Sequence, residues 1–281
     1  MSRVHRPASA EEAAEMLAVL DDAMVYGGGT AIQILLKQGL LFTEHFVDLT
    51  GIPCLREVAA TDDAVTVGPM TSLRRMETDP LVRRMVPVAA QAYAKVANPR
   101  VRNTASVGGN LAHGDYRLDP PTALVVLDAV VSVTSAQGTR EVSIREFFVD
   151  FQQTAVRRDE LITGIRIPRQ PAGAVGAYRK ISSLSVNDWP CASAAALAVP
   201  VGDEIEVRLG LGALAPTTLY LAFDVTPDMD EQQAVQAALD IADSAMEPIA
   251  DVRGGVGYKA HLGRVAVEDA VRHTLKEVVH D

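Results

Sequence analysis

Cysteine is scarce in this chain, and its two cysteines, Cys54 and Cys191, lie far apart with no Cys-x-x-Cys pair. This excludes a self-contained four-cysteine iron–sulfur cluster and disfavours a zinc site built on thiolates. The six histidines show no spacing typical of a metal site or a catalytic triad. We therefore assign no catalytic residue and no metal ligand, and expect any redox chemistry to use a bound organic cofactor.

Long apolar runs and an excess of basic residues are also missing. No run approaches the roughly 18 apolar residues that suggest a membrane span, and residues 1–15 lack the apolar core of a signal peptide. We therefore expect a cytoplasmic protein. The formal net charge of −10 disfavours nucleic-acid binding, which depends on clustered Lys and Arg. The 281 residues are enough for two or three units with buried cores.

Apolar spacing predicts a chain that mixes helices and strands. The first unit is βαβ-like, with an amphipathic helix over 9–20, a strand over 23–26, a helical segment over 31–41 and a strand over 45–49. The following stretch combines strands with helices over 65–67, 73–77, 81–93, 122–128, 130–134, 141–148 and 161–167. The small, turn-rich segment 170–174 is a predicted domain boundary. Beyond it we predict strands within 177–223 and closing helices at about 231–246 and 259–279.

The segment Val25-Tyr26-Gly27-Gly28-Gly29-Thr30-Ala31-Ile32 is the first of two glycine-centred segments. A predicted strand runs into three glycines and then a helix, so backbone N–H groups can approach an anion without hindrance from a Cβ. The spacing matches neither a Walker loop nor the Rossmann fingerprint. Two alternatives stay open: a tight strand-to-helix turn, and a capping box in which Thr30 pairs with Gln33.

The second segment is Thr104-Ala105-Ser106-Val107-Gly108-Gly109-Asn110. Its hydroxyl and amide groups suit a phosphate or a ribityl chain, and Asp119 could accept hydrogen bonds from sugar or ribityl hydroxyls. The alternative is a surface turn in which Asn110 adopts a left-handed conformation. Two segments of this kind in one chain suggest that they grip the two phosphates of one dinucleotide.

Over nearly its whole length the chain resembles the FAD-binding medium subunits of the molybdenum hydroxylases, the family of xanthine dehydrogenase and carbon monoxide dehydrogenase. Gly-Gly-Asn followed by Asp119-Pro120 is the most specific element of this resemblance. The other matching motifs are Gly-Gly-Gly-Thr at 27–30, Arg102-Asn103, Asp159-Glu160-Leu161-Ile162 before Ile167-Pro168, Tyr178-Arg179-Lys180 and the closing helix from Tyr258-Lys259.

The resemblance implies an α+β fold: two FAD-binding subdomains, 1–55 and 56–172, and a C-terminal α/β domain, 173–281. It implies that 25–32 and 106–110 hold the FAD pyrophosphate, with Val96, Ala97 and His113 beside the cofactor. The implied FAD ligands therefore include Val25, Tyr26, Gly27, Gly28, Gly29, Thr30, Ala31, Ile32, Ser106, Gly108, Gly109 and Asn110.

Four further positions match residues near FAD in the family. Asp119 corresponds to an FAD-binding aspartate, Ile162 to an apolar flavin contact and Lys180 to a lysine near the flavin. Trp189, just after Asp188, falls where the family places an apolar or aromatic residue against the isoalloxazine ring. Core packing for Trp189 and a solvated surface position for Lys180 are the open alternatives.

The resemblance further implies an electron-transfer subunit. It would take electrons from a small subunit with two [2Fe–2S] clusters and pass them to an external acceptor, while a large molybdopterin-binding subunit oxidises the substrate. The identities of the substrate and of the acceptor stay open. The assembly would be a dimer of heterotrimers. Thr30 and Ala31 replace the His-Ser of carbon monoxide dehydrogenase medium subunits, which argues against that substrate.

Two other functions stay open. One is a stand-alone FAD-dependent oxidase or reductase, although residues 26–31 contain no histidine for covalent flavin attachment. The other is a non-enzymatic nucleotide-binding module. Bound flavin would distinguish the module from both enzymes, and dependence of flavin reduction on partner subunits would distinguish the two enzymes from each other.

Overall fold

The computed structural model describes residues 2–278, which form three main sheets and a short two-stranded one. The first sheet is parallel, in the order β1-β3-β2. Its elements are β1 (Arg3–His5), α1 (Ala10–Val19), β2 (Ala23–Tyr26), α2 (Ile32–Lys37) and β3 (His45–Asp48). The predicted βαβ unit is confirmed. Helix α2 is shorter than the predicted 31–41 because Gly39, at φ +67°, stops it in a left-handed conformation.

The second sheet is antiparallel, in the order β4-β5-β10-β6-β7. Short 3-10 turns (Leu49–Gly51 and Pro53–Arg56) precede it. Its elements are β4 (Val58–Ala60), β5 (Ala64–Val67), α3 (Leu73–Thr78), α4 (Pro80–Met85), α5 (Pro87–Ala94), α6 (Pro99–Thr104), α7 (Val107–Ala112), α8 (Asp119–Val126), β6 (Val130–Ser135), β7 (Gly138–Ser143), α9 (Ile144–Phe147), the hairpin β8 (Phe148–Asp150) and β9 (Gln153–Thr154), and β10 (Leu161–Pro168).

Two predicted helices of this region differ from the structure at proline residues. The single helix predicted over 81–93 is two helices, because Pro87 moves Val86 out of the helical region (φ −137°) and begins a new helix. Helix α8 begins at Asp119, before the predicted 122, because prolines are tolerated in the first helical turn.

The third sheet is an antiparallel meander in the order β11-β12-β13-β14. Its elements are β11 (Val175–Ile181), β12 (Ala192–Val201), β13 (Glu204–Gly212) and β14 (Leu219–Val225), followed by α10 (Glu231–Ala245) and α11 (Val256–Val278). Helix α10 is capped by Asp230 and Gln233. Helix α11 begins three residues before the predicted 259, and the predicted end at Val279 lies outside the described residues.

Strand β12 is buried on both faces, which explains its run of eight buried residues. Alternate residues Ala195 and Leu197 join a core shared with α5 and α8, whereas Ala194 and Ala196 join a core shared with α10 and α11. The third sheet therefore lies between the closing helices and the helices of the second unit. The three sheets follow the order of the units predicted at 1–55, 56–172 and 173–281, a division that we retain as a proposal.

No helix within residues 2–278 has the length and apolar character needed to cross a membrane.

Candidate functional site

The two glycine segments, distant in sequence, adjoin in the structure. A Cβ built on Gly28 would overlap with the carbonyl oxygen of Thr104, and one built on Gly27 would lie 2.9 Å from the Oγ of Ser106. Only glycine allows this backbone approach. The loop after β2 and the turn before α7 therefore form one continuous surface.

Free backbone donors distinguish the first loop. Across residues 2–278, no protein acceptor receives the N–H groups of residues 27–31. Gly29 adopts a left-handed conformation in this turn (φ +73°), and its carbonyl accepts from the N–H of Gln33 at 2.9 Å. Helix α2 has Ala31 at its N-cap and no side-chain cap, so the alternative of a capping box formed by Thr30 is wrong. Gly29 is buried and the other residues of 27–31 are half-buried, an arrangement that suits an anion.

The side chains at and beside these donors differ in their surroundings. Tyr26 accepts a hydrogen bond from Gln33 Nε2 at 3.2 Å, which ties the end of β2 to α2. Val25 packs against the core beneath the first sheet. Thr30, Ala31 and Ile32 are half-buried at the start of α2.

Except for the N–H of Ser106, which donates to no acceptor within the described residues, the backbone donors of the second loop are already used. The N–H of Val107 donates to Thr71 O (2.9 Å), that of Gly108 to Pro69 O (2.7 Å) and that of Gly109 to the Oγ of Ser106 (3.2 Å). A Cβ on Gly108 would overlap with Pro69, so this glycine is needed for packing. The second loop thus offers side chains to a ligand, whereas the first offers backbone donors.

Asn110 is the side chain that most clearly lacks a partner. Its Oδ1 is buried and accepts no hydrogen bond from the described residues. Its N–H donates to Ser106 O at 2.9 Å within α7, and it has no positive φ, so the alternative of a left-handed turn at Asn110 is wrong. An unpaired buried acceptor of this kind is costly unless a ligand satisfies it. The site therefore fits a group that carries hydroxyl or amide donors.

A buried arginine supports the loop that contains Val96 and Ala97. Arg102 Nη1 donates to both carbonyls at 2.9 Å, and its Nε donates to Glu77 Oε2 at 2.8 Å. Ala97 has φ +42°, which is unusual for alanine. Arg102 belongs to one of the matching sequence motifs but has no predicted role. A charged residue on a helix beside a glycine segment was the available signal.

Asp119 and Lys180 form a buried ion pair between the first turn of α8 and strand β11 of the third sheet. Lys180 Nζ donates to Asp119 Oδ2 and to Lys95 O, each at 2.9 Å, and Tyr178 Oη donates to Asp119 Oδ1 at 2.6 Å. The Lys180 side chain is 5% exposed, so the alternative of a solvated surface lysine is wrong. Burial raises the pKa of Asp119 to about 6 although Lys180 and Tyr178 oppose the rise.

Trp189 lies beside His113, the C-cap residue of α7, at the other end of this helix from its N-cap Ser106. Its ring centroid is 6.0 Å from that of His113 and 5.2 Å from the guanidinium carbon of Arg117. Burial lowers the pKa of His113, which keeps this imidazole neutral at pH 7. Trp189 is half-buried and belongs to none of the hydrophobic clusters in residues 2–278. Core packing therefore does not account for Trp189.

Ile162 is the predicted residue least connected to this surface. Its side chain is buried in the core of the second unit, beside the β-bulge between Ile162 and Gly164. The role of Ile162 as a flavin contact stays a prediction, as do the ligand roles of the other site residues. Other residues form a series of contacts from Gly27 through Ser106 and α7 to His113 and Trp189. Arg102 binds the carbonyls of Val96 and Ala97, and Lys180 binds the neighbouring carbonyl of Lys95.

The fold and the site define a mixed helix and strand protein in which two glycine-rich loops meet beside an unpaired amide. Residues 1–170 match the family described as FAD binding domain in molybdopterin dehydrogenase. The chain belongs to this family, and it is an FAD-binding oxidoreductase subunit of the molybdenum hydroxylases. The resemblance inferred from the motifs and the expected α+β fold are confirmed.

Similar proteins span nearly the same length. The carbon monoxide dehydrogenase medium chain of Hydrogenophaga pseudoflava is 30% identical over 272 residues, covering 95% of this chain and 94% of the relative. The nicotine 6-hydroxylase medium subunit of Paenarthrobacter nicotinovorans is 28% identical, covering 98% and 96%. The xanthine dehydrogenase FAD-binding subunit of Escherichia coli O157:H7 is 27% identical, covering 98% and 95%.

Solved structures share the whole fold. A chain of the Hydrogenophaga pseudoflava carbon monoxide dehydrogenase that lacks the Mo-pyranopterin moiety superposes with a TM-score of 0.92 at 29% identity, covering 98% of both chains. A chain of quinoline 2-oxidoreductase from Pseudomonas putida 86 superposes with a TM-score of 0.90 at 26% identity, covering 99% of this chain and 98% of that one.

Proposed function

We propose that this chain holds FAD where the two glycine loops meet and relays electrons within a molybdenum hydroxylase. The observation that carries the proposal is the set of N–H groups at residues 27–31 without an acceptor in residues 2–278, together with the unpaired Oδ1 of Asn110 on the adjoining loop. Backbone donors suit a pyrophosphate, and an amide oxygen suits a hydroxyl or amino donor. Both needs are met by a single dinucleotide.

The residues have complementary roles in this proposal. The first loop binds the pyrophosphate through Gly27 to Ala31, while Ser106 and Asn110 offer polar side chains from the second loop. Arg102 fixes the carbonyls of Val96 and Ala97 along the cofactor. When bound, FAD supplies the redox chemistry, by accepting electrons and releasing them to an acceptor. The protein binds and orients the flavin, and no side chain is assigned a proton-transfer step.

Lys180 and Trp189 are the residues that we assign to the flavin end. Lys180 is an ammonium held against Asp119 at the edge of the 95–97 loop, so it places a positive charge beside that loop. Trp189 offers an aromatic face outside the hydrophobic cores. His113 and Ile162 would complete this end of the site. Aromatic packing against an isoalloxazine ring is the expected use of Trp189.

The partners are inferred from the relatives, which are described as medium chains or subunits. We propose a large subunit that binds molybdopterin and a small subunit with two [2Fe–2S] clusters, assembled as a dimer of heterotrimers. The relatives act on different substrates, among them carbon monoxide, nicotine and xanthine by their descriptions. Because the substrate pocket would lie in the large subunit, this chain does not specify the substrate. A cytoplasmic location stays a prediction.

The experiment uses the complex purified after co-expression of the chain with the large and small subunits. We expect flavin absorbance at one FAD per chain. We also expect the flavin to be reduced rapidly when the chemically reduced small subunit is mixed with the FAD-loaded chain without oxygen, and slowly when the same chemical reductant is added in the absence of the small subunit. A complex free of FAD would overturn the cofactor proposal. Flavin reduction at the same rate with and without the small subunit would overturn the relay.

A further inference from the structure

We propose that a charge network centred on Asp251 positions Trp189, so that Arg117 and Arg253 are positioning residues for the flavin end of the site. The effect of the network on the flavin rests on the proposed FAD site. The contacts of the network themselves involve only residues of this chain. It joins three segments: 113–118 after α7, 182–190 between β11 and β12, and 247–255 between α10 and α11. Neither arginine was singled out by sequence analysis.

Arg253 acts on Trp189 through Asp188. Its Nε and Nη2 donate to the two oxygens of Asp188 at 3.0 and 2.7 Å, and Asp188 Oδ1 accepts from the N–H of Trp189 at 2.8 Å. Two-point pairing of a guanidinium with a carboxylate fixes orientation as well as distance. Hydrogen bonding by Arg253 also lowers the pKa of Asp188, which keeps the carboxylate ionised at neutral pH.

The backbone of Arg253 holds the same loop at further points. Its carbonyl accepts from Ser183 Oγ at 2.9 Å and is 3.7 Å from Cys191 Sγ. The turn that carries Arg253 is itself closed, because Asp251 and Gly254 exchange backbone hydrogen bonds at 3.1 Å. The segment between β11 and β12 is thus attached to this turn at Ser183, near the start of the segment, and at Cys191, its last residue.

Arg117 acts on Trp189 from the other side. It pairs with Asp115 through two hydrogen bonds of 2.8 and 2.7 Å, and its guanidinium carbon lies 5.2 Å from the centroid of the Trp189 ring. A guanidinium at this distance from an indole is within the range of a cation–π interaction. Trp189 is therefore contacted through its backbone by Asp188 and at its ring by Arg117.

Asp251 connects the two arginines and a buried lysine. Its Oδ1 is 3.0 Å from Lys259 Nζ, and its Oδ2 is 3.5 Å from Arg117 Nη1 and 3.7 Å from Arg253 Nη1. Lys259 is fully buried and also donates to Ile249 O at 2.7 Å. Removing one member of such a cluster leaves uncompensated buried charge, so the groups hold each other in place.

Apolar packing does not replace this network. Residues 183–187 are exposed, including the large apolar side chains of Leu184 and Val186, and Trp189 lies outside the hydrophobic clusters of residues 2–278. A loop with few core contacts has low local stability. The orientation of Trp189 therefore depends on the charged contacts described above.

Trp189 is the single tryptophan of the chain, so tryptophan fluorescence reports on this position alone. The test uses the purified full chain, freed of FAD, with the variants Arg253→Gln, Arg253→Lys and Asp251→Asn. The matched control is Arg208→Gln, which removes a similar two-point pair with Glu206 on β13. Circular dichroism selects a temperature at which every variant is folded.

We expect Arg253→Gln and Asp251→Asn to increase the acrylamide quenching constant of Trp189 at least about twofold, with a smaller rise in Arg253→Lys and none in Arg208→Gln. For Arg253→Gln and Asp251→Asn we also expect an FAD affinity roughly tenfold weaker than that of the unsubstituted chain, which corresponds to about 1.4 kcal/mol of binding free energy. Unchanged quenching in folded Arg253→Gln would overturn the positioning role. Increased quenching in a chain that never binds FAD would support the network and refute the proposed function instead.

Discussion

Lys180 and Asp119 form a buried ion pair, with 2.9 Å between Nζ and Oδ2, that joins the third sheet to the first turn of α8. Lys180 also donates to the carbonyl of Lys95, immediately before the loop of Val96 and Ala97. One ammonium thus connects a C-terminal strand, the α8 carboxylate and the loop assigned to the cofactor. The pair is therefore a structural support of the site as well as a candidate flavin neighbour.

The first prediction concerns the coupling of this pair. At pH 7, Lys180→Met should lower the free energy of unfolding by about 3–5 kcal/mol, because it leaves the Asp119 carboxylate buried without its partner. Asp119→Asn should lose clearly less, because burial already disfavours the charged form of Asp119. The double variant should lose clearly less than the sum of the two losses. Urea unfolding of the four proteins measures this. Additive losses would show that the two groups do not interact in the folded chain.

The second prediction concerns pH. The pKa of Asp119 is about 6 in the folded chain against an ordinary value of 3.8, so between these values the folded state holds the proton more tightly than the unfolded state. Its contribution to stability is full below the lower value and is lost as the pH rises through the upper one. The two-unit difference corresponds to about 3 kcal/mol.

The Asp119→Asn variant isolates this effect from other carboxylates, such as Glu77 and Asp188, whose pKa values are lowered. We expect the stability of the wild type relative to Asp119→Asn to fall by up to about 3 kcal/mol between about pH 4 and pH 7. Urea unfolding at several pH values measures the difference. A constant difference across this range would mean that Asp119 ionises with its ordinary pKa when folded.

Local patterns predicted much of the fold. The apolar spacing that predicts α1, β2 and α10 lies within the elements themselves, so these elements match closely. The error at 81–93 arose because apolar spacing continued through Pro87 and outweighed the stop signal of that proline. The glycine segments could be predicted from the sequence because glycine marks positions where the backbone must approach another group closely or adopt a positive φ.

The supports of the site could not be found in the same way. Arg102 meets Glu77 across 25 positions, and Arg253 meets Asp188 across 65. Arginines are common on surfaces, so a single sequence does not reveal which of them is paired and buried. The use of the Gly108 N–H by Pro69 is likewise a tertiary contact. The sequence therefore led to a proposal for the residues around the cofactor but did not indicate which residues hold them in place.

The third prediction tests the meeting of the two loops. Gly28→Ala should destabilise the chain by about 1–3 kcal/mol, because the new methyl group overlaps with Thr104 O and forces the loops apart. FAD content after purification should fall sharply. Gly51→Ala is the control, since a Cβ there meets no atom within 4 Å. The measurements are flavin absorbance per chain and urea unfolding, and full FAD content in Gly28→Ala would contradict the placement of the site.

The fourth prediction separates a ligand-binding role from a structural one at Asn110. Asn110→Ala should change the stability of the FAD-free chain by less than about 1 kcal/mol, because Oδ1 has no protein partner to lose. It should weaken FAD binding by about tenfold, the loss expected for one good hydrogen bond. Urea unfolding without FAD and fluorescence titration with FAD give the two quantities.

Asn98→Ala provides the contrasting case for Asn110. Its Oδ1 accepts from the N–H groups of Arg100 and Val101 at 3.0 and 3.1 Å and caps α6, so its loss should cost about 0.5–2 kcal/mol even without FAD. If Asn110→Ala instead lost stability like Asn98→Ala and kept its FAD affinity, the amide would serve the packing of α7. A side chain that acts only as a cofactor ligand should affect FAD affinity and leave the stability of the FAD-free chain nearly unchanged.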